Sequence, residues 1–66
     1  MDVAVAQNLV VLKSGPGNAS VVSQAIDDAG WPEIVGSIAG ENTVFVAVRN
    51  AKEAREIADR ILSYLQ

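Results

Sequence analysis

The sequence predicts a two-layer α/β domain of the α+β kind, with element order β-β-α-β-β-α. It would hold a four-stranded antiparallel sheet with two helices on one face. Three observations carry this. Short β-branched apolar runs come in pairs, "DVAVA" with "NLVVLKS" and "EIVGSIA" with "TVFVAVR". After each pair the apolar residues change to helical spacing. Between these segments stand the residues that break regular structure, in "SGPGN", "GWP" and "GEN".

The first pair has Gln7-Asn8 between its runs, and Asn tolerates positive φ. This reads as a hairpin, with one long strand as the alternative. "SGPGN" then stops the strand, with Pro16 suited to a first helical turn and Asn18 to an N-cap. Ala19, Val22, Ala25, Ile26 and Ala29 form the apolar stripe of the first helix, with Val21 beside it. Gly30 is placed as a C′ glycine, and Pro32 prevents continuation. Trp31 is expected to pack back on the helix end. In the fourth strand Val44, Val46 and Val48 face one way, and Phe45 and Ala47 the other. Both faces are apolar, which suits a strand covered by helices on one side and partly by a partner on the other.

The last helix is capped by Asn50, with Glu53 at the third helical position, a relative of the capping box. Ala54, Ile57, Ala58, Ile61, Leu62 and Leu65 form its apolar stripe. Arg55–Asp59 and Glu56–Arg60 are i,i+4 pairs on its wet side. A helical crossover alone would leave the third strand parallel to the second. A wholly antiparallel sheet therefore needs the fourth strand between them, in spatial order 1-2-4-3. The near-continuous apolar sequence of that strand fits a central place.

Size and composition add a constraint. The chain has 66 residues, half of them hydrophobic, and no cysteine or histidine. A domain this small buries only about 60% of the surface its unfolded chain exposes. Disulfides and ordinary zinc sites are excluded as staples. Self-association is the expected remedy for so much apolar material. The net charge of −3 opposes binding to phosphate backbones. No run is long enough to span a membrane, and no basic start of a signal peptide is present. A cytoplasmic location is expected.

Catalytic chemistry is poorly supplied. Without His or Cys there is no candidate base beside a serine. Ser14, Ser20, Ser23 and Ser37 read as cap, helix and strand residues. "SGPGN" lacks the Lys-Ser/Thr of a phosphate loop. What remains is a set of carboxylates and amides at element ends: Asp27, Asp28, Glu41 and Asn42. Asp27 and Asp28 fall near a helix C-terminus, where the dipole disfavours anions. Such a pair is either fully solvated or waiting for a cation. Glu41 is likewise either a solvated turn residue or part of a ligand-binding edge.

"LVVLKSGPG", "IDDAG" and "GSIAGENT" together resemble the C-terminal domain of bacterial arginine repressors. That family carries an "LVVLRTxPG" junction, a helix ending "LDxLG" and a "GTIAGDDT" hairpin, in the same order. The resemblance covers nearly the whole chain. It implies a ββαββα domain that forms homotrimers, two of which stack as a homohexamer. It implies L-arginine as a co-repressor bound between the trimers, and no metal or other cofactor. DNA would be read only by a winged helix N-terminal to this domain, which this chain lacks. By position, the family's arginine-contacting helix aspartate falls on Asp27. An often polar helix position two turns earlier falls on Ser20. The two hairpin aspartates fall on Glu41 and Asn42. There the second carboxylate is replaced by a neutral amide, and the first is one methylene longer. A guanidinium prefers planar carboxylate acceptors. The resemblance therefore implies an arginine-sensing assembly domain. The alternative is a structural assembly module whose altered hairpin has lost or changed arginine binding. A small enzyme of related architecture would need catalytic histidines, which are lacking.

Overall fold

The computed structural model describes residues 2–65. The elements are β1 (Asp2–Ala6), β2 (Leu9–Lys13), α1 (Ala19–Ala29), β3 (Ile34–Ala39), β4 (Thr43–Val48) and α2 (Ala51–Leu65). All strand pairs are antiparallel, and the sheet order is β1-β2-β4-β3, as predicted. β4 is central because its alternate side chains are the ones most in need of cover. Val44 and Val46 are fully buried and Val48 nearly so. The register sets Val46 opposite Val10 and Val44 opposite Leu12, so one face of β2 and β4 is a continuous aliphatic layer.

Both helices lie on that layer. α1 packs over β3 and β4, and α2 over β1, β2 and β4. From α1 the core receives Ala19 and Ile26; from α2 it receives Ala54, Ile57, Ala58 and Ile61. Leu62 of the predicted stripe is partly exposed, and the Leu65 side chain lies outside the described residues. The α1 stripe is rotated from the predicted one. Ser23 is buried while Ala25 and Ala29 are exposed, because the face that meets β3 runs through Ala19, Ser23 and Ile26. On the other side of the sheet, Val11 and Ile38 both lie opposite Phe45, and Leu9 lies opposite Ala47. This face is apolar and uncovered, with Phe45 half exposed and Ile38 74% exposed.

Several local expectations are corrected. β1 and β2 form a hairpin, but its positive φ belongs to Gln7, at 55°. Asn8 is occupied differently: its Nδ2 donates to the Val48 carbonyl at 3.3 Å, and its own carbonyl accepts from Val48 N–H at 3.0 Å. Asn8 thus ties the turn to the end of β4. Pro16 does not enter the helix. It is the second residue of a turn closed by Asn18 N–H to Gly15 O at 3.1 Å, with Gly17 third at φ 79°. That is the pattern of a type II turn, which needs glycine there. Asn18 makes no side-chain cap bond. It starts α1 through its carbonyl, which accepts from Val22 N–H at 3.1 Å. Gly30 is left-handed as expected, and its N–H donates to Asp27 O at 3.2 Å. At α2 the Asn50 side chain accepts from Glu53 N–H at 2.9 Å, as predicted.

The expected Glu56–Arg60 and Arg55–Asp59 pairs do not form among the described residues. Arg60 instead reaches across to Glu33, just before β3, in a two-pronged contact at 3.0 and 3.3 Å. Its guanidinium also sits 5.0 Å from the centre of the Trp31 ring, which stacks on Tyr64 at 5.8 Å. A planar fork between a carboxylate and an aromatic face is a better seat for arginine than a monodentate pair along one helix. Trp31 borders the groove between the helices together with Ala29, and its ring is held from the α2 side by Arg60 and Tyr64. Arg49 adds hydrogen bonds to the carbonyls of Pro32 and Glu33 at 3.0 and 3.3 Å.

Two outcomes follow from this packing. Ile57 is fully buried at the centre of the core. Ile57→Ala should cost about 2–5 kcal/mol in urea unfolding, enough to unfold most of a domain this small. A loss below about 1 kcal/mol would show a core able to collapse around the change. The hydrogen bonds from Arg60 hold the Glu33 carboxyl below its ordinary 4.5. The stability it contributes is complete above pH 4.5 and is lost as the pH falls through the lower folded value. Glu33→Gln should therefore flatten the acid side of a thermal-midpoint profile while leaving its neutral-to-alkaline shape alone. An unchanged acid side would assign that slope to other groups.

Candidate functional site

The residues singled out in the sequence fall at two ends of α1. Ser20 is in its first turn and exposed. It lines a shallow concavity with Val21, Gln24, Ala25 and Asp28. Asp27 is exposed in the last turn, where no basic residue is present to offset the helix dipole. The chain rises about 1.5 Å per residue along a helix, so Ser20 and Asp27 are about 10 Å apart along α1.

Asp27 and Asp28 are held differently. Asp27 Oδ1 accepts a hydrogen bond from Ser37 Oγ of β3 at 3.1 Å. Ser37 Oγ is in turn 2.7 Å from Ser23 Oγ. Asp28 Oδ1 accepts from Gln24 Nε2 at 2.9 Å, a contact within the helix surface. Asp27 is therefore anchored to the sheet, and Asp28 is not. Ser23 and Ser37 were read in the sequence as ordinary helix and strand residues, so their link to Asp27 was missed. The available signal was polarity at inward positions. Ser23 lies between Ala19 and Ile26 on one helical face, and Ser37 pairs with the buried Val46.

Glu41 and Asn42 form the β3–β4 turn, and both are exposed. Their backbone is fixed by the loop before α1. Gly17 N–H donates to Glu41 O at 3.0 Å and Ser14 N–H donates to Asn42 O at 2.8 Å. Gly40 N–H donates to Thr43 O at 2.8 Å. Gly40 does not adopt positive φ, and neither does Glu41 or Asn42. So the turn is held by cross-loop hydrogen bonds rather than by a strained residue. Asn42 Oδ1 accepts from Thr43 Oγ1 at 2.9 Å, which engages the amide carbonyl. Its amide N–H groups remain, and these suit an anionic group. The Glu41 carboxylate makes no hydrogen bond among the described residues.

The hairpin thus neighbours the start of α1, whereas Asp27 lies at its far end. One chain does not bring Asp27 together with Glu41 and Asn42. A more enclosed groove, about 450 Å³, lies between α1 and α2 and is lined by apolar residues that include Val22, Ile26, Trp31 and Ile61. It includes none of the four candidate residues. Among the described residues no group of three or more His, Cys, Asp or Glu could hold a metal ion. No helix there is long and apolar enough to cross a membrane.

Comparison with known proteins identifies the family. The family model described as "Arginine repressor, C-terminal domain" matches residues 1–63. The arginine repressor of Symbiobacterium thermophilum is 54% identical over 54 residues, which is 82% of this chain and 36% of that protein. That of Solibacter usitatus is 45% identical over 65 residues, 98% of this chain and 45% of that protein. That of Koribacter versatilis is 45% identical over 60 residues, 91% of this chain and 40% of that protein. The chain thus spans less than half the length of these relatives. Their family is one of transcription regulators, not enzymes. With the ββαββα fold and a family match over nearly its whole length, this chain belongs to the arginine repressor C-terminal domain family.

Proposed function

We propose that this chain is the L-arginine-sensing assembly domain of a transcriptional repressor of arginine metabolism, acting in the cytoplasm. It forms a trimer through the open face of its sheet. Arginine then binds between two trimers and favours the hexamer. DNA is contacted by a further part of the full-length repressor. The observation that carries this reading is the separation of the candidate residues. Asp27 and the Glu41–Asn42 turn stand at opposite ends of α1, so a site that uses both is completed by another copy. A ligand held in this way binds the assembly better than its parts, which is what coupling a metabolite to assembly requires.

The chemistry of the residues supports the division of labour. Asp27 offers a carboxylate to a cationic group of arginine, and Glu41 offers a second one with longer reach. Asn42, whose Oδ1 is already engaged by Thr43, is better suited to donate to the ligand α-carboxylate. Ser20 contributes a hydroxyl near the rim. The second reading is a structural assembly module without arginine binding. It is favoured by the loss of one hairpin carboxylate at Asn42.

Calorimetry with L-arginine separates the two readings. Arginine at about 100 times its dissociation constant should stabilise the bound state by about 2.7 kcal/mol per site. Citrulline, which lacks the guanidinium charge, should bind much more weakly. Asp27→Asn should weaken arginine binding more than Asp28→Asn. Equal effects, or no thermal shift with millimolar arginine, would leave the assembly module as the better reading.

Assembly itself is tested by light scattering at micromolar concentration. The chain should be at least trimeric, and Phe45→Glu should break the assembly by placing a charge in the centre of the open sheet face. A stable 6.9 kDa monomer in the unmodified chain would overturn the assembly proposal.

A further inference from the structure

We propose that Ser37 is a positioning residue for ligand capture, holding the Asp27 carboxylate through a directed chain of hydroxyls that begins at Ser23. This rests on the arginine-binding reading of Asp27 and adds to it two residues which that reading does not contain. The direction of the chain follows from the donor inventory. An ionised carboxylate only accepts, so the single hydroxyl proton of Ser37 goes to Asp27 Oδ1, 3.1 Å away. With that proton used, the 2.7 Å contact between the hydroxyls requires Ser23 to donate to Ser37. The chain therefore runs one way, from the helix–sheet seam to the carboxylate at the end of α1. Each donation polarises the next hydroxyl toward its acceptor.

Two features argue that this chain serves the carboxylate rather than the packing. Ser23 is only 9% exposed and lies between Ala19 and Ile26 on the buried face of α1, where an apolar side chain would be buried at less cost. The anchor also acts on Asp27 alone, because Asp28 is bonded within α1 by Gln24. Asp27 stands in the last helical turn, where the dipole opposes an anion. The Ser37 hydroxyl offsets part of that opposition and restrains the side chain through one oxygen. Oδ2 makes no hydrogen bond among the described residues and remains for a cationic ligand group. A carboxylate ordered before the ligand arrives loses less freedom on binding.

The test is calorimetry with L-arginine on the assembled protein, together with the thermal midpoint of the ligand-free form. Ser37→Ala should raise the dissociation constant about tenfold with the ligand-free mass unchanged, and should lower the ligand-free midpoint only modestly, through the Ser23 hydroxyl that loses its acceptor. Ser37→Thr keeps the hydroxyl and should restore binding. Ser23→Ala removes the first donor but not the second, so its effect should be smaller than that of Ser37→Ala. In an Asp27→Asn background, Ser37→Ala should add little, because the group it positions has been changed. Absence of arginine binding in the unmodified protein would remove the arginine reading, and this inference with it. If the unmodified protein binds and Asp27→Asn weakens it, but Ser37→Ala binds normally, the positioning role alone falls. A lower ligand-free midpoint with unaltered affinity would give Ser37 a structural role instead.

Discussion

Val44, Val46 and Val48 stand on the side of β4 that the two helices cover, and the rest of the domain depends on that cover being one-sided. Two helices are enough for one face of a four-stranded sheet. They bring Ile26, Ile57 and Ile61 onto a layer that also includes Val10 and Leu12. The other face has no such cover, yet strand alternation still supplies it with Leu9, Val11, Ile38 and Phe45. A chain of 66 residues without cysteine has no staple with which to offset that exposure. That open apolar face is the surface through which the proposed self-association, and any ligand control of it, would act.

The same one-sidedness places the candidate site. α1 crosses from the β3–β4 turn to the bulged start of β3, so its two ends lie near different parts of the sheet. Its first turn follows a loop bonded to Glu41 and Asn42, and its last turn is joined through Asp27 to Ser37. In the proposed site, residues fixed at these separate points would be brought together by a second copy. The Glu33–Arg60 fork contributes to that rigidity from outside the site. With Trp31 and Tyr64 it ties the loop after α1 to the last turns of α2.

Much of the architecture was legible because it rests on periodicity. The alternation in β4 and the stripe of α2 predict both the antiparallel order and the covered face. The Gly30 stop and the Asn50 cap were readable for the same local reason, since each satisfies backbone groups within one turn. The misplaced details depend on distant partners. Asn8 was given the positive φ because the bond that engages it comes from Val48, forty positions away. Arg60 was paired along its helix because nothing local indicates that Glu33 will be within reach. Of the candidate site, Asp27, Glu41 and Asn42 were legible as carboxylates and an amide at element ends, and Ser20 through the resemblance. Ser37 and Ser23 were not, because their role appears only when β3 is laid beside α1.

The central claim is that Asp27 of one copy and the Glu41–Asn42 turn of another share a ligand. Mixing variants tests it most directly. Asp27→Asn and Glu41→Ala chains should each bind L-arginine poorly alone. After co-refolding, mixed assemblies should regain a fraction of tight sites in calorimetry, because an intact Asp27 from one chain then meets an intact Glu41 from the other. A mixture that binds no better than either variant alone, although mass measurement shows the chains have exchanged, would contradict a site shared between copies.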